Sequence, residues 1–432
     1  MQLYSIFLKH PEICTDSRVC PEGSIFFALK GENFNANAFA LSAVEKGCSY
    51  AVVDEKEFAI DERFIFVDNV LESLQRLATF HRRQLGTPVI GITGTNGKTT
   101  TKELIATVLK EKYNILFTQG NLNNHIGVPL TLLKLKPEHE IAIVEMGANH
   151  SGEIRELCEI VRPNFGIITN VGKAHLEGFG SFEGVKKTKS ELYTYIFRNG
   201  KNIFINKDNE HLVEMAMNVG FDLGKENVCD FGFNPDYTVF GNIISCSPFL
   251  EMECVIKQTE SFNIKTNLIG AYNAENILAA VAIGTFFKLK NEDIKRGLED
   301  YIPQNNRSQL TITEKNKLVV DAYNANPTSM NAAILNFAQM EVTHKTLILG
   351  DMLELGEQSE IEHQNVVDLL QQKDFVNVLL VGKQFKNTNH PFHCFENVDE
   401  LISFIGQNPL KDNYILIKGS RGIRLEKVIA SL

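Results

Sequence analysis

The stretch Gly91-Ile92-Thr93-Gly94-Thr95-Asn96-Gly97-Lys98-Thr99-Thr100 decides the fold of the middle of this 432-residue chain. The apolar run Val89-Ile90-Gly91-Ile92 leads into it and predicts a buried strand. A helical stretch follows, with Leu104, Ile105, Val108 and Leu109 on one face. A strand, a loop with glycines and a helix together make a phosphate cradle. The glycines let backbone N–H groups close on phosphate oxygens, and the helix N-terminus adds its positive end. Lys98 is spaced to reach the β- and γ-phosphates, and Thr99 to hold Mg²⁺. The loop departs from the general P-loop, which has a glycine where Ile92 stands. A plain structural turn is the alternative, but the flanking strand and helix point to ATP or GTP binding.

A chain of this length predicts about three domains. Hydrophobic residues make up 44%, an ordinary globular share. A net charge of −10 without a basic run argues against a nucleic-acid partner. Residues 1–10 lack a charged-then-apolar signal pattern, and no run approaches the ~20 apolar residues of a membrane span. The eight cysteines are scattered without a C-x-x-C pair, so free thiols in a reducing cytoplasm are expected, not a zinc site or disulfide frame.

The pattern predicts an α/β chain in three units. Residues 1–83 carry short β-type runs at 24–29 and 50–53 around a helix near 38–46. Residues 84–306 hold the P-loop and further strands at 141–144, 166–169 and 202–205 with helices between, which predicts a mostly parallel sheet. A β-rich portion at about 227–267 and a helix over 271–287 follow, and Pro303-Gln304-Asn305-Asn306 reads as a linker. Residues 307–432 repeat an apolar strand ending in a polar loop, at 318–320, 347–349, 378–381 and 415–417. That is a Rossmann-like pattern, with ligands expected at strand C-termini.

Several polar residues fall at such ends. Glu145 ends a predicted buried strand, where a second Mg²⁺ ligand would sit; a solvated acid is the alternative. His175 lies in a loop past another strand, either as a surface residue or as a metal or phosphate contact. Lys189, in a helical run with Lys186 and Lys187, reads by itself as part of a solvated basic face. Asn273 and Asn276 open a helix and either cap it or position a ligand. Arg307 either reaches a phosphate or sits on the surface. Asp321-Ala322-Tyr323-Asn324-Ala325-Asn326-Pro327 is a polar loop after a strand that suggests ligand contact.

Together these segments resemble the Mur ligase family, the ATP-dependent amide-bond ligases of peptidoglycan precursor synthesis. Thr15-Asp16-Ser17-Arg18 is similar to the family's uridine-nucleotide motif, and Gly94-Thr95-Asn96-Gly97-Lys98-Thr99 to its form of the P-loop. Gly120-Asn121-Leu122-Asn123-Asn124-His125-Ile126-Gly127-Val128-Pro129, Glu145-Met146-Gly147-Ala148, Ala174-His175-Leu176 and Lys418-Gly419-Ser420-Arg421 match as well. The segments at 321–330 and Leu349-Gly350-Asp351-Met352-Leu353-Glu354-Leu355-Gly356 resemble the branch that adds D-Ala-D-Ala to UDP-MurNAc-tripeptide. Tyr272 stands where relatives often have histidine, and Ser190 where a glycine is usual.

The resemblance implies a three-domain architecture with a central P-loop domain and a Rossmann-like C-terminal domain. It implies ATP and Mg²⁺ as cofactors, with Thr99, Glu145, His175 and a carbamylated Lys189 at the metals. Lys98 would neutralise the β- and γ-phosphates, Arg307 and Asp321 would bring the third domain onto ATP, and Asn273 and Asn276 would contact the nucleotide. Ser17, Arg18, Asn123, Asn324 and Asn326 would contact substrate. A sibling ligase that adds one amino acid, and a P-loop regulator without ligation, are the alternatives.

Overall fold

A computed structural model describes residues 2–257, 259–304 and 307–432. Part of the expected linker, Asn305 and Asn306, lies outside the described residues. Three main sheets follow one another along the chain. The first is parallel and four-stranded, with spatial order Ile13–Cys14, Ile25–Phe27, Tyr50–Val53, Phe64–Phe66.

The helix Val70–Leu85 carries the chain out of this sheet. Asn69 starts it by accepting from the Glu72 N–H, and Gly86 ends it at φ 68°. The helix runs through residue 83 and packs on the central lobe. His81 Nε2 meets the Leu135 carbonyl at 2.9 Å. The buried Arg82 donates to the carbonyls of Val161 and Arg162 and to Asn164 Oδ1. One face of the first sheet, through Ile25, Phe27 and Val52, together with Phe7 of the helix Gln2–Lys9 and Leu74 of the helix Val70–Leu85, therefore shares a single apolar core with Val144, Ile154 and Leu192 of the central lobe.

The central sheet has nine strands. The P-loop strand Val89–Thr93 lies between Ile141–Glu145 and Phe165–Ile168, parallel to both. Every residue of these three strands is buried, because helices cover both faces of a parallel sheet. The far end turns antiparallel through Val239–Cys246, Leu250–Ile256 and Phe262–Lys265. There Leu250–Ile256 alternates buried and half-buried residues, as a sheet covered on one face does. The helix Ala274–Phe286 is apolar around most of its circumference and is buried against the helix Lys98–Lys110 and the sheet.

The third sheet has order Gln309–Ile312, Lys317–Asp321, Tyr414–Lys418, Lys345–Gly350, Asn377–Val381, His393–Phe395. Only its first pair is antiparallel. The four predicted apolar strands of this unit are all present. The short edge strands Ile115–Phe117, Gln309–Ile312 and His393–Phe395 were not legible, since three or four residues carry too little periodicity.

Candidate active site

The carboxyl ends of the central strands and of Lys317–Asp321 open onto one cavity of about 1000 Å³. Its wall includes the P-loop, Glu145, His175, Asn273, Asn276, Arg307, Asp321, Asn324 and Asn326. Gly94 (φ 148°) and Gly97 (φ 75°) shape the loop. A Cβ on Gly94 would overlap the Thr169 hydroxyl, and one on Gly97 would stand 2.7 Å from Asn276 Oδ1. The helix Lys98–Lys110 has no side-chain cap at its N-terminus, which leaves its first N–H groups to the loop and the cavity.

The segment after Phe165–Ile168 holds this loop from below. Thr95 N–H donates to the Asn170 carbonyl (3.0 Å), and Asn96 N–H to Asn170 Oδ1 (2.9 Å). Thr169 Oγ1 and Asn170 Nδ2 donate to the Asn96 carbonyl at 2.6 and 3.1 Å. Sequence reasoning did not single out Thr169 and Asn170; their place directly after an apolar strand was the available signal.

Lys98 folds back so that its ammonium donates to the Gly94 and Thr95 carbonyls at 2.8 and 3.0 Å. Burial pulls its pKa down to about 8, with Glu145 opposing the shift and Arg307 adding to it. Glu145 is buried and therefore not a solvated acid. Its Oε2 accepts from Thr99 Oγ1 at 3.0 Å and its Oε1 from Asn123 Nδ2 at 2.8 Å. The buried Lys102 ammonium stands 3.7 Å from Glu145 Oε2 and makes no hydrogen bond among the described residues.

Asn273 does not cap its helix with its side chain. It donates to the Ile269 carbonyl and accepts from Asn276, whose Oδ1 accepts from Thr101 behind Gly97. Arg307 lies with its guanidinium 3.7 Å from the centre of the Tyr323 ring, and its Nε is buried without a hydrogen-bond partner among the described residues. Tyr272 shares a 2.8 Å hydrogen bond with Ser308 across the linker.

Lys189 is buried in the helix Phe182–Asn199, which overturns the solvated-face reading. It is not among the residues lining the cavity, and its Nζ stands 5.5 Å from the centre of the Phe179 ring. Burial, reinforced by Lys98 and opposed by Glu153 and Glu191, lowers its pKa to about 7. His175 adopts a left-handed backbone (φ 49°) and pairs through Nδ1 with Glu354 of the third sheet's loops, itself at φ 64°. Asp321 Oδ2 accepts from the buried Lys418 ammonium at 2.6 Å. Asn324 closes a local turn by accepting from the Ala325 N–H. Ser17 and Arg18 stand apart from this cavity, and Arg18 is exposed and paired with Asp16.

Residues 92–284 match the Mur ligase middle domain, and residues 306–421 match the Mur ligase glutamate ligase domain. The chain belongs to the Mur ligase family. Among its curated relatives are UDP-N-acetylmuramoyl-tripeptide–D-alanyl-D-alanine ligases of Bacillus subtilis and Escherichia coli. The first is 33% identical over 97% of this chain and 92% of that protein. The second is 35% identical over 97% of this chain and 93% of that protein. A crystal structure of MurF from Acinetobacter baumannii superimposes with a TM-score of 0.86 at 32% identity, covering 98% of this chain and 93% of that one. A MurF ligase from Thermotoga maritima, solved in complex with ADP, shares the fold at a TM-score of 0.86 and 24% identity, with 98% and 97% covered. No helix among the described residues is long and apolar enough to cross a membrane. The three-sheet Mur ligase fold thus carries a P-loop, an acid at the neighbouring strand end and a third-lobe loop around one cavity.

Proposed function

We propose that this Mur ligase joins UDP-MurNAc-tripeptide to D-Ala-D-Ala in the cytoplasm, with ATP converted to ADP and phosphate. The supporting observation is that the P-loop, Glu145 and the third-lobe residues Arg307 and Asp321 face one cavity. A phosphate donor and an acceptor peptide can meet there away from bulk water. The full-length likeness to relatives named for that reaction supports the choice of substrates.

The terminal carboxylate of the tripeptide attacks the γ-phosphorus of ATP. The bond to the ADP oxygen breaks and an acyl phosphate forms. The dipeptide amine then attacks the carbonyl carbon, phosphate leaves, and the amine proton passes to solvent. Both steps gather negative charge, so positioning and electrostatic stabilisation are the protein's main contributions. Lys98 exchanges the Gly94 and Thr95 carbonyls for phosphate oxygens. Arg307, already stacked on Tyr323, presents its guanidinium to the same phosphates. Asp321, steadied by Lys418, faces the nucleotide ribose.

Mg²⁺ fits the oxygen pair of Thr99 and Glu145, whose atoms stand 3.0 Å apart at the strand edge. A second ion would take His175 Nε2, since Glu354 occupies Nδ1. A protonated Lys189 cannot serve there; its carbamate can, and a pKa lowered to about 7 supplies the free amine that carbon dioxide requires. Bound Mg²⁺ would neutralise phosphate charge and polarise the phosphoryl oxygens.

Phosphate release, measured with each peptide partner omitted in turn and followed by mass analysis, tests this reading. Turnover requires the muramyl tripeptide, the amide product requires D-Ala-D-Ala, and Lys98→Ala loses both with its circular dichroism unchanged. Equal turnover with a single amino acid in place of the dipeptide would assign the chain to a sibling activity instead.

A further inference from the structure

The first lobe holds a cluster that the ligase reaction does not use. Cys14, Cys20 and Cys48 bring their Sγ atoms within 4.8 Å of one another. Cys14 ends the edge strand Ile13–Cys14, Cys20 lies in the loop between it and the strand Ile25–Phe27, and Cys48 stands two residues before the strand Tyr50–Val53. Cys14 and Cys48 are buried and Cys20 is half-buried. Cys14 Sγ donates to the carbonyls of Asp16 and Val19 at 3.2 and 3.0 Å, and Cys20 Sγ to that of Ser17 at 3.5 Å. Cys48 Sγ shares a 3.2 Å hydrogen bond with Ser24 Oγ. All three thiols therefore converge at the base of the 15–19 loop. Lys46 Nζ, 2.8 Å from the Ser17 carbonyl, places a positive charge beside it.

We propose that Cys14, Cys20 and Cys48 form a three-thiolate site for a thiophilic divalent cation of the zinc type. Sulfurs held at ~2.3 Å from such an ion stand about 3.8–4.0 Å apart, so the observed spacing closes with a shift of about 1 Å at most. Loading replaces three S–H bonds with three S–metal bonds and releases three protons to solvent. The fourth position faces outward on the side of Cys20 and takes a water. Burial keeps the Cys14 and Cys48 thiols protonated in the metal-free protein, so the cation displaces protons rather than meeting ready thiolates. The occupied site fastens the loop bearing Ser17 and Arg18 to the edge of the first sheet.

Titrating the reduced, metal-free full-length protein with Cd²⁺ tests this through the ultraviolet thiolate-to-cadmium charge-transfer band. The band saturates at one ion per chain and is displaced by Zn²⁺. Cys20→Ser and Cys48→Ser each lose it, while Cys394→Ser in the third lobe keeps it, with far-ultraviolet circular dichroism verifying the fold of each. The half-buried Cys20→Ser decides the matter if Cys48→Ser does not fold. A wild-type protein without a saturable band, a band that survives Cys20→Ser, or one lost in Cys394→Ser overturns the site.

Discussion

Asn326 donates its side-chain N–H to Asn96 Oδ1 at 2.7 Å, tying the third lobe to the tip of the P-loop across 230 residues of sequence. The same Asn326 also caps the helix Pro327–Gln339, accepting from Ser329 N–H while the Ser329 hydroxyl accepts from Asn326 N–H. One side chain thus serves local helix stability and contact between lobes, and two substitutions separate the roles.

Asn326→Ala removes both and costs about 1 kcal/mol of stability through the lost cap. Asn326→Asp keeps the cap and can still accept from Asn96 Nδ2, 3.4 Å away, but loses the shorter bond that Asn326 donates to Asn96. Its stability stays near wild type, while the KM for ATP rises roughly fivefold, the equivalent of about 1 kcal/mol for one hydrogen bond. Denaturant melts and ATP kinetics on the two variants check this. An Asn326→Asp enzyme with unchanged KM would remove the interlobe bond from the account.

The loop that carries Glu354 to His175 rests on a buried histidine. His363 Nε2 accepts from the Met352 N–H at 3.0 Å, and Nδ1 lies 2.7 Å from the Ser359 carbonyl, so the ring is neutral and bears its proton on Nδ1. Burial lowers its pKa from 6.5, against the opposing pull of Ser359, Asp351 and Glu362. The unfolded chain therefore binds more protons than the folded one just below pH 6.5, and stability rises with pH there. The contribution of His363 is complete above that pH and is lost as the pH falls from it toward the lower folded value. Thermal melts over this range fall more steeply with acid for the wild type than for His363→Gln. Parallel curves would show that His363 does not titrate in this window.

Much of this was legible because the signals were local and long. The P-loop strand and helix carried an apolar run and a helical stripe, and Leu104, Ile105, Val108 and Leu109 are all buried. The third lobe announced itself by four apolar runs that each end in a polar loop. What stayed hidden depends on partners distant in sequence. Lys186 and Lys189 read as a surface run, yet both are buried; Lys186 is paired with Glu183 and Glu214, the second on another helix. Cys14, Cys20 and Cys48 look scattered because no short spacing joins them, and only the sheet brings Cys48 back to the first strand. His81 and Arg82 were invisible as bridges, since their acceptors are carbonyls more than fifty residues away.

Lys189 supplies a further prediction. Protein equilibrated with carbon-13 bicarbonate shows one slowly exchanging carbamate resonance, and Lys189→Arg lacks it. That variant also loses most turnover while its fold is intact, because a guanidinium cannot become an anionic oxygen ligand. A wild-type spectrum without the resonance, at full activity, would remove the modification from the mechanism.

The central claim is that a peptide carboxylate is activated by direct phosphoryl transfer within the shared cavity. The most direct measurement follows oxygen-18 from the terminal carboxylate of the muramyl tripeptide during turnover with D-Ala-D-Ala. One labelled oxygen appears in each inorganic phosphate released, in step with amide formation. Phosphate free of the label, with the amide still formed, would contradict the account.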